Sequence, residues 1–227
     1  LPLIGLPDAA FIGFRDRPAL ITKREIRLLI LGELAPLPGQ TIWDIGAGTG
    51  SISIELTRLC PTAQLYAIEK TAIGTALIHQ NAQRLAHSPV QVIQGQAPAA
   101  LMDLPKPDRV FIGGSSGQLV AILDFLHTKM SLAKPLDPLN QQINDCPTQQ
   151  LASGRIVLAL ATLEHLSQIT AWARRSTIAA SWQTHFTQVN ISRSLPVGPL
   201  TRFLPLTPIT LVILSARSAF SDPKPIT

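Results

Sequence analysis

The run Thr41-Ile-Trp-Asp-Ile45 passes directly into Gly46-Ala-Gly-Thr-Gly50 and then into a helix-period stretch that ends near Leu59. A buried strand that turns tightly on glycine and restarts as a helix opens a βαβ unit, because a turn without Cβ atoms lets backbone approach backbone or ligand. The rest of the chain repeats the rhythm. Strand signals at 64–68, 90–93, 107–112 and 154–161 alternate with helix signals at 71–85, 113–130 and 163–174. Before the first strand, Thr22-Lys-Arg-Glu25 reads as a capping box, with Thr22 as N-cap, and Ile26, Leu29, Ile30 and Leu34 continue it as an amphipathic helix stopped by Pro36-Leu-Pro-Gly39. Two β-rich stretches, 183–191 and 209–216, close the pattern. Such alternation implies right-handed crossovers and an α/β fold whose mostly parallel sheet is covered by helices on both faces.

At 227 residues one domain is the default, expected over 1–220 with a polar, Pro-bearing tail at 221–227 that reads as disordered. Residues 135–150, rich in Gln and Pro, fall where a short connection is usual and read as a mobile insertion. No apolar run approaches the ~18 residues of a membrane span. The first residues, Leu-Pro-Leu-Ile-Gly, lack the basic start of a signal peptide. Cys60 and Cys146 make neither a disulfide framework nor a metal set, the five His residues show no ligand spacing, and nothing opposes a reducing cytoplasm. Net charge is +5, but residues 1–150 carry 12 cations against 12 acids, and residues 151–227 carry 7 against 2. Six of those seven are Arg, whose planar fork suits carboxylates and phosphates. One Tyr and seven Phe make a thin stacking surface, which argues against a single-strand nucleic-acid binder.

The glycine loop separates cofactors by its spacing. A dinucleotide site needs G-x-G-x-x-G/A, and a phosphate-gripping loop needs G-x-x-x-x-G-K-[ST]; Gly46-Ala-Gly-Thr-Gly-Ser51 supplies neither. It matches D-x-G-x-G-x-G, beginning at Asp44, as in the S-adenosylmethionine (SAM) loop of Rossmann-like methyltransferases. Glu69, 19 residues after Gly50 at the end of the second strand, is placed to hold two ribose hydroxyls. Gly113-Gly114, at the carboxyl end of the fourth strand, is either a plain turn or a close approach to substrate. Arg193 and Arg202 are either solvated or clamps for substrate carboxylates. No Ser/His/Asp or Cys/His arrangement is present, and no catalytic residue is named.

A closer resemblance rests on Leu6-Pro-Asp8, Thr22-Lys-Arg-Glu-Ile-Arg27, Trp43 to Glu55, Tyr66-Ala-Ile-Glu69, Gly95-Gln-Ala-Pro98, Pro107 to Gly114 and Thr162-Leu-Glu164. Over residues 5–216 the chain resembles the precorrin-6B C15-methyltransferase (decarboxylating) family of cobalamin biosynthesis, equivalent to the C-terminal module of precorrin-6Y C5,15-methyltransferase. The resemblance implies a class I SAM-dependent methyltransferase with a seven-stranded sheet and an antiparallel C-terminal strand. It implies SAM contacts at Thr22, Gly46, Ala47, Gly48, Thr49, Gly50, Glu69 and Ala97, with Ala97 beside the adenine. It further implies a precorrin tetrapyrrole substrate, a cytoplasmic homotetramer and a C5-methyltransferase partner.

The chain departs from the family at three places. Gln96 stands where Asp is frequent and can still bond the adenine amino group, Ala159 stands where Asn is frequent, and residues 136–153 interrupt a Lys-Pro-Gly-Gly-like connection. Two other readings of the same fold are an RNA or protein methyltransferase and a non-catalytic SAM-binding subunit.

Overall fold

A computed structural model describes residues 1–17, 20–131 and 154–217. The strands are Thr41–Ile45 (β1), Gln64–Glu69 (β2), Val90–Gln94 (β3), Arg109–Ile112 (β4), Arg155–Leu160 (β5), Trp182–Val189 (β6), Ser192–Val197 (β7), Leu200–Pro205 (β8) and Ile209–Ala216 (β9). The α-helices are Arg24–Leu34 (α1), Ser51–Leu59 (α2), Ala72–Leu85 (α3), Leu119–Ser131 (α4), Leu163–Ala173 (α5) and Ser176–Ser181 (α6). Seven strands form one sheet in the order β3-β2-β1-β4-β5-β9-β6. β1 through β5 pair in parallel, and β9 is antiparallel to both β5 and β6. The order reverses between β1 and β4, so a crevice opens at the carboxyl ends of these two strands.

Period-two side chains explain why both faces are covered. Val110 and Ile112 of β4, Ile156 and Leu158 of β5, and Val212 and Leu214 of β9 pack with α4, α5 and α6. The intervening Phe111, Val157, Leu211 and Ile213 pack with α1 and α2. A smaller cluster of Leu6, Phe11, Ile54 and Leu85 fastens the N-terminal segment over α2 and α3. Polar groups reinforce it. The fully buried pair Arg27–Glu55 (2.8 Å) is satisfied by Asp8 (2.8 Å) and by the Leu6 carbonyl on the arginine side, and by the backbone N–H groups of Gly5 and Leu6 on the carboxylate side.

The capping box does not form. α1 begins at Arg24 with Lys23 as its N-cap and no side-chain cap bond. The Glu25 carboxylate, which a capping box would turn back on the helix, is drawn instead to Arg193 of β7. The C-terminal part also differs from expectation. α6 and the β7–β8 hairpin were not foreseen, and the hairpin stands as a two-stranded sheet of its own. Pro196 and Pro205 within its strands suppress a strand reading, and neither strand alternates polar and apolar residues, so the turn glycine Gly198 (φ +57°) was the available signal. The expected insertion at 135–150 and the tail at 221–227 lie outside the described residues.

Candidate active site

Three glycines give the β1–α2 loop its shape, with φ of +73° at Gly46, +58° at Gly48 and +76° at Gly50. The N–H groups of Gly46 and Ala47 both donate to the Ile68 carbonyl, at 2.9 and 3.1 Å, which ties the loop to the end of β2. The three positions are needed for different reasons. A Cβ on Gly46 would lie 2.5 Å from the Gly114 carbonyl oxygen, so this glycine lets the loop meet the β4–α4 turn. On Gly50 it would press on Ile78 of α3 at 3.1 Å. On Gly48 it would meet nothing closer than 4.0 Å, because Gly48 faces a cavity of about 730 Å³.

Glu69 is 7% exposed and forms part of the loop. Its Oε2 accepts from the Gly48 N–H at 3.0 Å, and Oε1 accepts from the Thr71 N–H (2.9 Å) and hydroxyl (2.8 Å). The Thr71 oxygen in turn accepts from the Gly74 N–H at 3.0 Å and caps α3. Gly74 was not foreseen as part of the site. A Cβ there would stand 2.5 Å from Glu69 Cγ, so this glycine makes room for the carboxylate.

Asp44, noticed in sequence only as the start of the loop motif, is 1% exposed at the cavity wall. Its Oδ2 accepts from Ser53 N–H (3.1 Å) and hydroxyl (2.6 Å), while Oδ1 is buried with no partner. Burial pushes its carboxyl up to about 6 against the opposing pull of the Ser53 hydrogen bonds, and the nearby Glu69 charge adds to the rise.

One cavity collects most of the residues expected at the site. Gly46, Ala47, Gly48, Thr49 and Glu69 line it, with Gln96 and Ala97 from the loop after β3. Thr22, Gly113 and Gly114 also reach it. Gly50 does not; it packs behind the loop against α3. Neither expected arginine clamp reaches it. Arg193 donates through Nε to Glu25 Oε1 (3.0 Å) and through Nη2 to Glu25 Oε2 (2.5 Å) and Asp8 Oδ2 (3.1 Å). Its guanidinium holds the Glu25 carboxyl below the usual range, chiefly through these bonds. Internal acids have taken the fork that was expected to take substrate. Arg202 is exposed on β8 and pairs in register with Leu195. Among the described residues, the cations lining the cavity are Arg17, Lys23 and Lys70. Its remaining wall is largely apolar, with Phe14, Leu20, Ile21, Val189, Ile191 and Leu206. No group of described residues could hold a metal ion.

The arrangement can hold an uncharged or cationic group beside two carboxylates, with a larger apolar body in the same space. A family model described as the precorrin methyltransferase domain matches residues 14–133. A precorrin-6Y C(5,15)-methyltransferase [decarboxylating] of Sinorhizobium sp is 32% identical over 211 residues, 92% of this chain and 44% of that protein. A cobalt-precorrin-6B C(15)-methyltransferase (decarboxylating) of Salmonella typhimurium is 36% identical over 120 residues, 53% of this chain and 60% of that protein. The chain thus matches less than two thirds of the length of each of these relatives. The crystal structure of precorrin-6y C5,15-methyltransferase from Geobacter metallireducens superposes with a TM-score of 0.78 at 28% identity, covering 95% of this chain and all of that one. With the family match running through the glycine loop, Glu69 and the Gly113-Gly114 turn, the chain belongs to the precorrin methyltransferase family.

Proposed function

We propose that this chain is a SAM-dependent C-methyltransferase that methylates C15 of precorrin-6B, or of its cobalt form, with loss of the C12 acetate carboxylate. One observation carries the reading: a donor end built of Gly48, Asp44 and Glu69 opens into an apolar chamber within one cavity, in a chain of this family. The residues fit SAM. The space in front of Gly48 is one a Cβ would fill, and the unpartnered Asp44 Oδ1 can accept from the cofactor ammonium. Glu69 accepts twice on Oε1 from Thr71 and once on Oε2 from Gly48, which leaves one lone pair on Oε2 for a ribose hydroxyl. Gln96 and Ala97 flank the adenine.

When bound, SAM supplies an electrophilic methyl group to an electron-rich carbon. The chain's own part is to position and to exclude water. The ionisable side chains lining the cavity, among the described residues, are Arg17, Lys23, Asp44, Glu69 and Lys70, and none is assigned as a base. The three cations are the grips for substrate carboxylates in place of Arg193 and Arg202. Loss of carbon dioxide breaks the bond from the acetate methylene to its carboxylate and leaves the electron pair in the conjugated macrocycle. A proton from solvent then completes the C12 methyl group, so no side chain is assigned as the acid.

The same proposal includes a cytoplasmic homotetramer working beside a C5-methyltransferase. Support for self-association comes from the β7–β8 hairpin, which exposes Val197 (47%), Leu200 (71%) and Phe203 (76%). The test is methyl transfer from labelled SAM to precorrin-6B, with bulk RNA as the rival acceptor. Label in the tetrapyrrole supports the proposal, and label only in RNA refutes it.

A further inference from the structure

A fully buried asparagine stands behind the donor end. Asn81, in α3, is 0% exposed and uses both ends of its amide. Nδ2 donates to the Thr49 carbonyl (3.0 Å) and the Ile12 carbonyl (2.9 Å), and Oδ1 accepts from the Ile12 N–H (2.7 Å). Two carbonyls and one N–H fix which end is oxygen, since only the amide nitrogen can serve both carbonyls. Thr49 belongs to the glycine loop and lines the cavity. Ile12 belongs to the N-terminal segment, at the point where it leaves the core for the cavity. Phe11 on one side is buried with Leu6, Ile54 and Leu85, whereas Phe14 on the other lines the cavity, as do Arg17, Ile21 and Thr22 further along.

Among the described residues, no other side chain on α3 joins these two walls of the cavity by hydrogen bonds. Asp at this position would offer no donor to either carbonyl, and an apolar residue would leave Thr49 and Ile12 backbone groups unpaired. We infer that Asn81 is a positioning residue for the donor site: it fastens the segment of Ile12, Phe14 and Arg17 onto the glycine loop, so that both sides of the SAM pocket are set by one side chain. The inference rests on the reading of this cavity as a SAM site.

Two variants test it. Asn81→Ala removes all three hydrogen bonds. Ile12→Pro removes only the Ile12 N–H, at a residue 36% exposed and preceded by an extended Phe11 (φ −91°, ψ 139°), the conformation a following proline requires. Hydrogen exchange of the amides at 13–17 is measured without ligand, SAM affinity by calorimetry, and kcat and KM under saturating tetrapyrrole. Asn81→Ala should speed exchange and weaken SAM about tenfold, and Ile12→Pro should do so about threefold, as expected for losing several bonds or one. kcat at saturating SAM should change less than about twofold, because Asn81 lines no part of the cavity where the reacting atoms meet. That split between KM and kcat, with faster exchange confined to 13–17, is not what general destabilisation gives. Wild-type exchange and SAM affinity in a folded variant would overturn the inference; if Asn81→Ala does not fold, Ile12→Pro decides it. Failure of the wild-type chain to bind SAM would overturn the cofactor reading itself, and the inference with it.

Discussion

Asp44 has one oxygen satisfied by Ser53 and one without a partner, in a site that raises its carboxyl from 3.8 to about 6. The sign of the linkage follows. Between pH 4 and 6 the unfolded chain has released this proton and the folded chain has not, so folding stability falls as pH rises through that window. Above it, the ionised group costs the fold up to about 3 kcal/mol, at 1.36 kcal/mol for each unit. A cationic ligand offsets this cost only when Asp44 is ionised. SAM affinity should therefore fall as pH drops from 7 to 5, and calorimetry showing a flat profile would count against an ammonium contact at Asp44. Asp44→Asn keeps an acceptor for Ser53 and removes the buried charge. It should raise the thermal midpoint at pH 7 in scanning calorimetry while weakening SAM about tenfold, the loss of one charge-assisted contact. Glu69→Ala should weaken SAM at least about tenfold, with the chain still folded, since charged hydrogen bonds contribute about 1.5–3 kcal/mol. A change below about twofold there would mean that Glu69 only shapes the loop through Gly48 and Thr71.

Elements set those residues in place, and they were unequally legible in sequence. β1, the glycine loop, α2 and the acid ending β2 could be read because each is a local strand-turn-helix signal with a fixed spacing. The Asp44 and Glu69 positions came with that pattern. Asn81 and the Arg193 clasp could not be read, since each depends on a partner distant in the chain, and Gly74 could not because the strand-to-helix bend alone folds the Glu69 side chain onto it. The missing capping box has a local reason as well: with Lys23 as N-cap, Glu25 falls at the second helical position and not the third, and Arg193 and Asp8 hold its carboxylate in an ion cluster. Arg193→Gln should loosen the hairpin from α1 and leave SAM affinity within about twofold, because a half-exposed ion pair contributes little to stability. Arg17→Gln, inside the cavity, should instead raise KM for the tetrapyrrole about three- to tenfold, the share of one charge-assisted contact. Steady-state kinetics on both variants separates a clasp from a grip. Equal effects would return Arg193 to the substrate.

At the scale of the whole molecule, the positive excess of the described residues 154–217 lies away from the cavity wall. Of its arginines, Arg193 is neutralised by Glu25 and Asp8, and Arg175 pairs with Asp124 at 2.9 Å. Among the described residues this leaves a few cations at the site and no continuous basic track, which suits a compact polycarboxylate and not a nucleic acid held along its backbone. Binding of the tetrapyrrole should accordingly weaken only moderately with salt, whereas 6–10 phosphate contacts would lose about 10³–10⁵ in affinity between 50 and 200 mM. The central claim is that one cavity serves both the methyl donor and a decarboxylating tetrapyrrole. Its most direct test is a single-pot reaction of the purified chain with methyl-labelled SAM and precorrin-6B, scoring methyl gained by the tetrapyrrole and carbon dioxide released. Equal amounts of the two, both lost in Gly48→Val while the fold persists, are the predicted result. Methyl transfer and decarboxylation that survive in Gly48→Val, or label passing to RNA and not to the tetrapyrrole, would contradict it.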